Sequence, residues 1–415
     1  MNFTQTVFLA SGERIEANFS GFETSSTGEV DILHLIRWMN NNYTMPKWRL
    51  YVLYPDETIN YEIPQEDIRT GGSFEENYQD GQRRSLTFTL HNQDRKYSPG
   101  INSFWTGTRL RLDRGICTID GTTLWCESGI FVVSQAQNNL SPSDRSVQIT
   151  AKDKFSLFDG KPGTLETTYE IPIGSEIEQV IKTIQLMDCG NGEPFDSKPM
   201  VFHSSLKGKV TQATISKSAG ETLGSILLEL ATQLSAEIFY NAHGNLTIVP
   251  TNEVNGDEDK PTIYDFVAED GDLSGLNFTF DLDSVINRVI VTGSSLSGGV
   301  VTAVAVNDDA SSPLCYQRIG YRTSSVINDT NITTQYLAEE RAQYELRKVL
   351  ILKSSTSIGI LFNPLLTVNN LITITSEYFG LSHERFLIQS ISCPLDYSGS
   401  MTVTISNIKN LPLVI

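Results

Sequence analysis

The sequence predicts a mainly β protein with an α+β middle domain, and three observations predict it. Several segments alternate apolar and polar residues with period two, the signature of half-buried strands. Two amphipathic helical stripes stand together in the middle of the chain. The β-rich regions on either side of them repeat the same order of elements. With 415 residues, 39% of them hydrophobic, the chain has material for several packed cores, so two to four domains are expected and a disordered chain is excluded.

Residues 1–45 read as an N-terminal arm, where Val30, Leu33 and Ile36 recur at helical spacing and predict a short helix near 29–40. Residues 46–158 read as a first small β-barrel domain. Residues 48–54 are rich in strand formers, and Pro55-Asp56-Glu57 supplies a turn. Residues 84–90 set Leu86, Phe88 and Leu90 on one face, and 108–112 alternate likewise. Asp120-Gly121 marks a hairpin, and 130–133 and 147–150 add further strands. Residues 159–283 change character and form the α+β domain. Ser175 with Glu178 makes a capping-box pattern before the stripe Ile177, Val180, Ile181, Ile184, Met187. A second helix at about 221–235 presents Leu223, Ile226, Leu227, Leu230 and Leu234, and a hairpin follows over 237–249. Residues 284–415 return to β as a second barrel domain, interrupted by one helix at about 334–350 whose Ala338, Ala342, Leu346 and Val349 face inward.

The two β regions match segment by segment. Residues 84–90 correspond to 356–361, 106–112 to 368–374, 129–134 to 385–390, and 146–150 to 401–405. Pro99 and Pro364 stand in the turns after the first pair. A symmetric trimer of such a duplicated chain sets six similar barrels in a ring, which can mate with a sixfold tube on one side and a threefold object on the other.

The same segments resemble the central baseplate hub proteins of contractile-tailed phages, with siphophage tail-tip proteins and type VI secretion spikes sharing the scaffold. Residues 72–77 through 84–89, and 129–133 followed by 149–153, resemble the first tube-like barrel. The helix over 221–234 with 245–248 resembles the middle domain, and Asn287-Arg288-Val289-Ile290-Val291-Thr292-Gly293 the start of the second barrel. The resemblance spans about residues 46–410 and implies a homotrimeric hub in the virion baseplate, assembled in the host cytoplasm. It implies as partners a tail tube protein, a central spike protein, a tape-measure protein and other baseplate proteins, with viral DNA passing through the lumen without specific binding. Long members of the family carry hydrolase domains after the second barrel. This sequence stops at Ile415, so any peptidoglycan cleavage is expected in another polypeptide.

The residues themselves offer little chemistry. Net charge is −18, which excludes a uniform basic face for nucleic acid or anionic lipid and leads to the expectation of a lumen lined by Asp and Glu. No apolar run is long enough for a membrane span, and Met1-Asn2-Phe3-Thr4-Gln5 does not begin a secretory signal. The five Cys (117, 126, 189, 315, 393) are odd in number and without C-x-x-C, which fits reduced thiols. Cys117 and Cys126 flank the hairpin turn at Asp120-Gly121 and are expected unbridged. P-loop, H-E-x-x-H, G-x-S-x-G and G-x-G-x-x-G motifs are all missing. His34, His91, His203, His243 and His383 are dispersed, and His383-Glu384 reads as a solvated loop pair. Asp257-Glu258-Asp259 and Glu269-Asp270-Gly271-Asp272 lack calcium-loop spacing and read as surface loops. No catalytic, cofactor-binding or metal residue is assigned, and the chain is not expected to be an enzyme. The alternatives are a cell-wall hydrolase using Asp281 and Asp283, and a host-glycan binding module using Trp105 or Trp125.

Overall fold

A computed structural model describes residues 4–8, 14–18, 43–98, 107–118, 123–141, 144–190, 192–250, 262–268, 273–277, 285–294, 299–310, 312, 314–329, 332–353 and 355–407. The helix expected near 29–40 lies outside them. Among the described residues the arm contributes a hairpin, β1 (Thr4–Phe8) with β2 (Arg14–Asn18).

The first β region runs β3 (Tyr43–Leu53), β4 (Ile59–Ile63), β5 (Ile68–Asn77), β6 (Arg84–His91), β7 (Arg109–Thr118), β8 (Thr123–Leu140) and β9 (Arg145–Asp153). Alternation sends Leu86, Phe88 and Leu90 of β6 and Val147 and Ile149 of β9 into the core while Thr87, Thr89 and Gln148 face out.

The middle region holds α1 (Ser156–Asp159), β10 (Tyr169–Ile171), α2 (Ile177–Gln185), β11 (Val201–Phe202), β12 (Ile215–Lys217), α3 (Leu223–Gln233), β13 (Ala236–Tyr240) and β14 (Leu246–Pro250). Ile177, Ile181 and Ile184 of α2 and Ile226, Leu227 and Leu230 of α3 share a separate core with Ile238 and Ile248 of the hairpin. The capping box is not formed. Glu176 takes the N-cap position without a side-chain bond, and the Ser175 hydroxyl turns back to donate to the Pro172 carbonyl at 2.8 Å. The cap of α3 is made instead by Thr222, whose side chain accepts from the Ser225 N–H.

Next come β15 (Thr262–Val267) and β16 (Leu273–Asn277), then β17 (Arg288–Ser294), β18 (Val300–Val306), α4 (Tyr316–Ile319), β19 (Ile327–Asn328) and α5 (Gln335–Lys353). The chain closes with β20 (Ser355–Leu361), β21 (Leu371–Ser376), β22 (Leu381–Leu395) and β23 (Ser400–Asn407).

Strand pairing departs from the expected boundary at 283/284. β15 lies parallel to β21 and β16 antiparallel to β20, so both pair with the second β region and not with the α+β middle. Residues 285–353 are not part of that sheet. β17, β18 and β19 make their own three-stranded sheet, on which α5 packs Ala338, Ala342, Leu346 and Leu350 against Val289, Val291 and Ala303. The segment is therefore an insert between β16 and β20 with its own core. Its strands alternate as the barrel strands do, and a local pattern does not say which strand a partner will be.

Six strands of each β region follow one plan. The first pairs in the order β5-β6-β9-β8-β7-β3 and the second in the order β16-β20-β23-β22-β21-β15. They differ in one sense of direction, β3 being antiparallel to β7 while β15 is parallel to β21. The two units join where β22 pairs antiparallel with β5, and residues of both fill one continuous core.

The duplication reaches individual hydrogen bonds. Before β7, Gly107 at φ 89 donates to the Val133 carbonyl at 2.8 Å, and the Val133 N–H donates to Thr108 O at 2.9 Å. Before β21, Asn369 at φ 68 donates to the Ile388 carbonyl at 2.8 Å, and the Ile388 N–H donates to Asn370 O at 2.9 Å. Both positions need the left-handed conformation, which Gly adopts freely and Asn tolerates. One residue bulges from each long strand just afterwards, Ser134 in β8 and Gln389 in β22. This register makes Phe131 equivalent to Phe386 and Ile149 to Val403. The sequence match set them one residue further along, against Leu387 and Thr404, and such a slip exchanges the faces of a strand.

Candidate assembly surface

The junction of the two units shows how such units meet. Beyond its bulge, β22 pairs with β23 along one edge, through Ser390, Ile391 and Ser392. Along the other edge it pairs with β5, from Ser390 opposite Asn77 to Leu395 opposite Gly72. Ile391, Cys393 and Leu395 are all buried there, Leu395 to 1% exposure.

The equivalent stretch of β8 is Gln135–Leu140. It pairs with β9 from Gln135 opposite Thr150 to Leu140 opposite Arg145. No described strand pairs with its second edge. Ala136, Asn138 and Leu140 stand where Ile391, Cys393 and Leu395 stand in β22, and Leu140 is 82% exposed. In the second unit, β16 holds the position that β5 holds in the first, and it ends the sheet with one edge open among the described strands. The chain thus makes one unit-to-unit contact and carries both halves of a second, unmade one. An open edge offers unpaired N–H and C=O groups to another strand.

One face of the sheet is polar but almost uncharged from β20 to β8. On the second unit it carries Ser357 and Gly359 of β20, Thr402 and Thr404 of β23, and Ser390, Ser392 and Pro394 of β22. Across the junction it continues with Ser73, Glu75 and Asn77 of β5 and Ser85, Thr87 and Thr89 of β6. It ends with Gln148, Thr150 and Lys152 of β9 and Gln135, Gln137 and Asn139 of β8. Ser73 and Thr87 hydroxyls bond across the strands at 2.9 Å. At the rim, Arg69 is held by Asp144 at 2.6 Å, and Leu361 of β20 is exposed.

The turn between β5 and β6 fixes the units to the rest of the chain. The Tyr78 N–H donates to Gln389 O of β22 at 2.6 Å, and the Gly81 N–H donates to Ile238 O of the middle domain at 2.8 Å. Arg83 pairs with Glu237 at 2.7 Å, and both side chains are nearly fully buried. The Tyr344 hydroxyl of α5 donates to Asp80 at 3.2 Å. Behind this turn the Asp153 carboxylate accepts from the backbone N–H groups of Arg83 at 2.7 Å, Arg84 at 2.8 Å and Phe155 at 3.1 Å. Burial outweighs those bonds and lifts its pKa to about 6. Lys154, fully buried, is held by Glu57 at 2.5 Å and Asp196 at 2.9 Å, though burial still lowers its pKa.

The residues singled out in the sequence do not converge on a site. Asp257, Glu258 and Asp259, the Glu269–Asp272 cluster, Asp281, Asp283 and Trp105 lie outside the described residues. His383 is exposed, with Nδ1 3.1 Å from Asp265 Oδ2. Trp125 is half-buried under the Arg49 guanidinium, 4.3 Å from the ring centroid, and sits opposite Glu16 of β2. Cys117 pairs with Thr123 and Cys126 with Arg114, three steps apart on the ladder, and the two are not joined by a disulfide. Among the described residues no group of three His, Cys, Asp or Glu side chains is placed to hold a metal ion. Nor is any helix long and apolar enough to cross a membrane.

No family model matches the chain, and no curated protein matches it in sequence. Solved structures do match. A tail protein from Neisseria meningitidis superposes with a TM-score of 0.60 at 11% identity, over 88% of this chain and 98% of that one. The 43 kDa tail protein of prophage MuSo2 from Shewanella oneidensis gives 0.58 at 18% identity, over 88% and 99%. The chain has the fold of phage tail proteins. The same tail-protein fold extends to the lidded Francisella PdpA-VgrG complex, with a TM-score of 0.53 at 11% identity, over 92% of this chain and 55% of the matched one.

Proposed function

We propose that the chain is the baseplate hub of a phage tail. Three copies close a ring of six β units, which joins a sixfold tail tube to a threefold central spike and encloses a channel for DNA. The ring sits in the virion baseplate, assembled in the host cytoplasm. Tape-measure and other baseplate proteins are its further neighbours, and its work is assembly, not catalysis.

One observation carries this reading. The β22–β5 contact joins two units inside the chain, while the equivalent β8 edge and the β16 edge are both open among the described strands. A second copy that applies its β16 edge to the β8 edge of the first repeats the intrachain contact, and three such junctions close a ring. Fold alone does not assign function, but two of the matching structures are tail proteins of nearly the same length as this chain, which supports a role in the tail.

The test is the mass of the purified full chain over a concentration series, with electron microscopy of the largest species. The expected result is a mass three times 46.1 kDa and particles with six similar lobes around a hole. A chain that stays monomeric alone and with its tube and spike proteins sinks the proposal.

A further inference from the structure

We infer that the uncharged polar face of the sheet is the wall of the channel, and that its chemistry keeps double-stranded nucleic acid moving by giving it nothing to hold. The inference rests on the hub reading and specifies the surface that faces the passing polymer.

Charge is the first argument. The chain carries 49 acidic and 31 basic residues, yet the middle of the face from β20 to β8 holds one of each, Glu75 and Lys152, and at its rim Arg69, opposite Thr89, is neutralised by Asp144. Solvated surfaces of ordinary domains carry roughly 25–35% charged residues, interspersed in sign. Open sheet faces favour charge for a further reason, since it discourages stray strand pairing. Here hydroxyls and amides replace it at position after position: Thr402, Thr404, Ser392, Thr87, Thr150 and Gln148. An acidic wall, the expectation from net charge alone, is not what this face provides.

Chemistry of the partner is the second. A duplex adheres through cations that neutralise phosphate, at a cost in counterions that sets its salt dependence. It also adheres through aromatic platforms when its bases are exposed. The strand positions of the face carry neither a run of Lys or Arg nor a Phe, Tyr or Trp, and its one imidazole, His91, sits at the rim against Arg69. Its short hydroxyls are partly engaged with one another, as at Ser73 and Thr87. A face without fixed charge neither captures the duplex nor repels it from entering.

Continuity is the third. The face passes without interruption across the β22–β5 junction. A β8–β16 junction built on the same plan carries it on into the next copy, so a closed ring has one continuous wall.

The experiment uses assembled rings of the full chain and a triple variant, Thr150→Lys with Ser392→Lys and Thr404→Lys. Ser392 is exposed and Thr150 and Thr404 are partly exposed on the polar face, so the fold is expected to tolerate the change, which a thermal melt checks. Gln137→Lys with Gln148→Lys is the second variant if the first fails to fold. Each ring is mixed with a linear duplex and with a covalently closed circle of the same sequence, and retention is read by gel filtration at about 50 mM salt. Wild-type rings are expected to retain neither. Lysine rings are expected to retain the linear duplex at least tenfold better than the circle, because only a linear end threads a closed channel. Between 50 and 200 mM salt that affinity should fall by about 10³-fold or more, as for six or more phosphate contacts. Equal retention of linear and circular DNA by lysine rings puts this face on the outside and overturns the inference. Retention of neither by lysine rings, or of linear DNA by wild-type rings, overturns it as well. Failure of the wild-type chain to form any ring counts against the hub reading instead.

Discussion

Leu140→Ala separates assembly from folding. The Leu140 side chain is 82% exposed in the single chain, so its loss should leave unfolding in urea within about 0.5 kcal/mol of wild type. At a ring junction it acquires the surroundings of Leu395, which is 1% exposed. Full burial of a leucine contributes about 2 kcal/mol, so three junctions lose about 6 kcal/mol per ring. The concentration for half-assembly of a trimer follows the square root of its association constant. Six kcal/mol therefore raises that concentration by about 10²-fold. Leu395→Ala is the control at the equivalent position. Its cavity opens inside the chain and should lower the unfolding free energy by about 2–4 kcal/mol. Light scattering over a concentration series reads the first effect and urea denaturation the second. The reasoning fails if Leu140→Ala assembles at the wild-type concentration, or if it destabilises the monomer as much as Leu395→Ala does.

Other perturbations test the interior. Arg114 is 2% exposed with its guanidinium 4.2 Å from the Phe74 ring, and it donates to Ser128 at 2.8 Å while Nη1 finds no hydrogen-bond partner. Arg114→Met should therefore be neutral or stabilising by about 1 kcal/mol, and a loss above about 2 kcal/mol in urea would show the charge to be needed. Asp153 binds its proton more tightly folded than unfolded, since its pKa rises from 3.8 to about 6. Protonation thus adds stability as pH falls through 6 towards 4. Relative to Asp153→Asn, wild type should gain about 2 kcal/mol between about pH 7 and 4.5, and a flat difference would refute the shift. Gly81 has φ +80, and an added Cβ would lie 2.9 Å from the Phe155 ring. Gly81→Ala should cost about 1–3 kcal/mol in the same urea measurement, and an unchanged midpoint would mean the turn is looser than it looks.

Much of the fold was legible because alternation and helical spacing are local. Leu86, Phe88 and Leu90, or Ile177, Ile181 and Ile184, declare their faces from sequence alone, and each set is buried. The register of the duplication was not legible. Ser134 and Gln389 bulge beside Gln135 and Ser390, polar residues that suit either face, and no local pattern marks a bulge, so the one-residue slip went unseen although it set Ile149 against Thr404. The insert was hidden for a related reason. Val289-Ile290-Val291 and the strand Val300–Val306 alternate as barrel strands do, and only the pairing partners reveal a separate sheet. The candidate surface did leave a trace. Ser or Thr recurs at alternate positions in Thr87/Thr89, Ser390/Ser392 and Thr402/Thr404, where exposed strands usually place charges, but a search for catalytic motifs does not weigh such a pattern.

The asymmetry between the two units bears on how a duplicated chain would serve partners of different symmetry. Residues 78–83 connect β5 to β6 by a short turn, whereas the equivalent connection from β16 to β20 is opened by the insert of 285–353. The inner strands keep one plan in both units, down to the bond from Asn92 N–H to Arg145 O and its counterpart from Phe362 N–H to Gly399 O, each 2.9 Å. Strand order is thus alike in the two units, while the connections differ. In a ring of three chains the sheet repeats six times, but the middle domain and the insert repeat only three times. The short turn is also where Glu237 and Tyr344 attach the middle domain and α5 to the first unit. In the proposed ring the threefold features would therefore be anchored at one unit in two, and a sixfold wall and a threefold periphery would follow from one chain without any residue changing its partner.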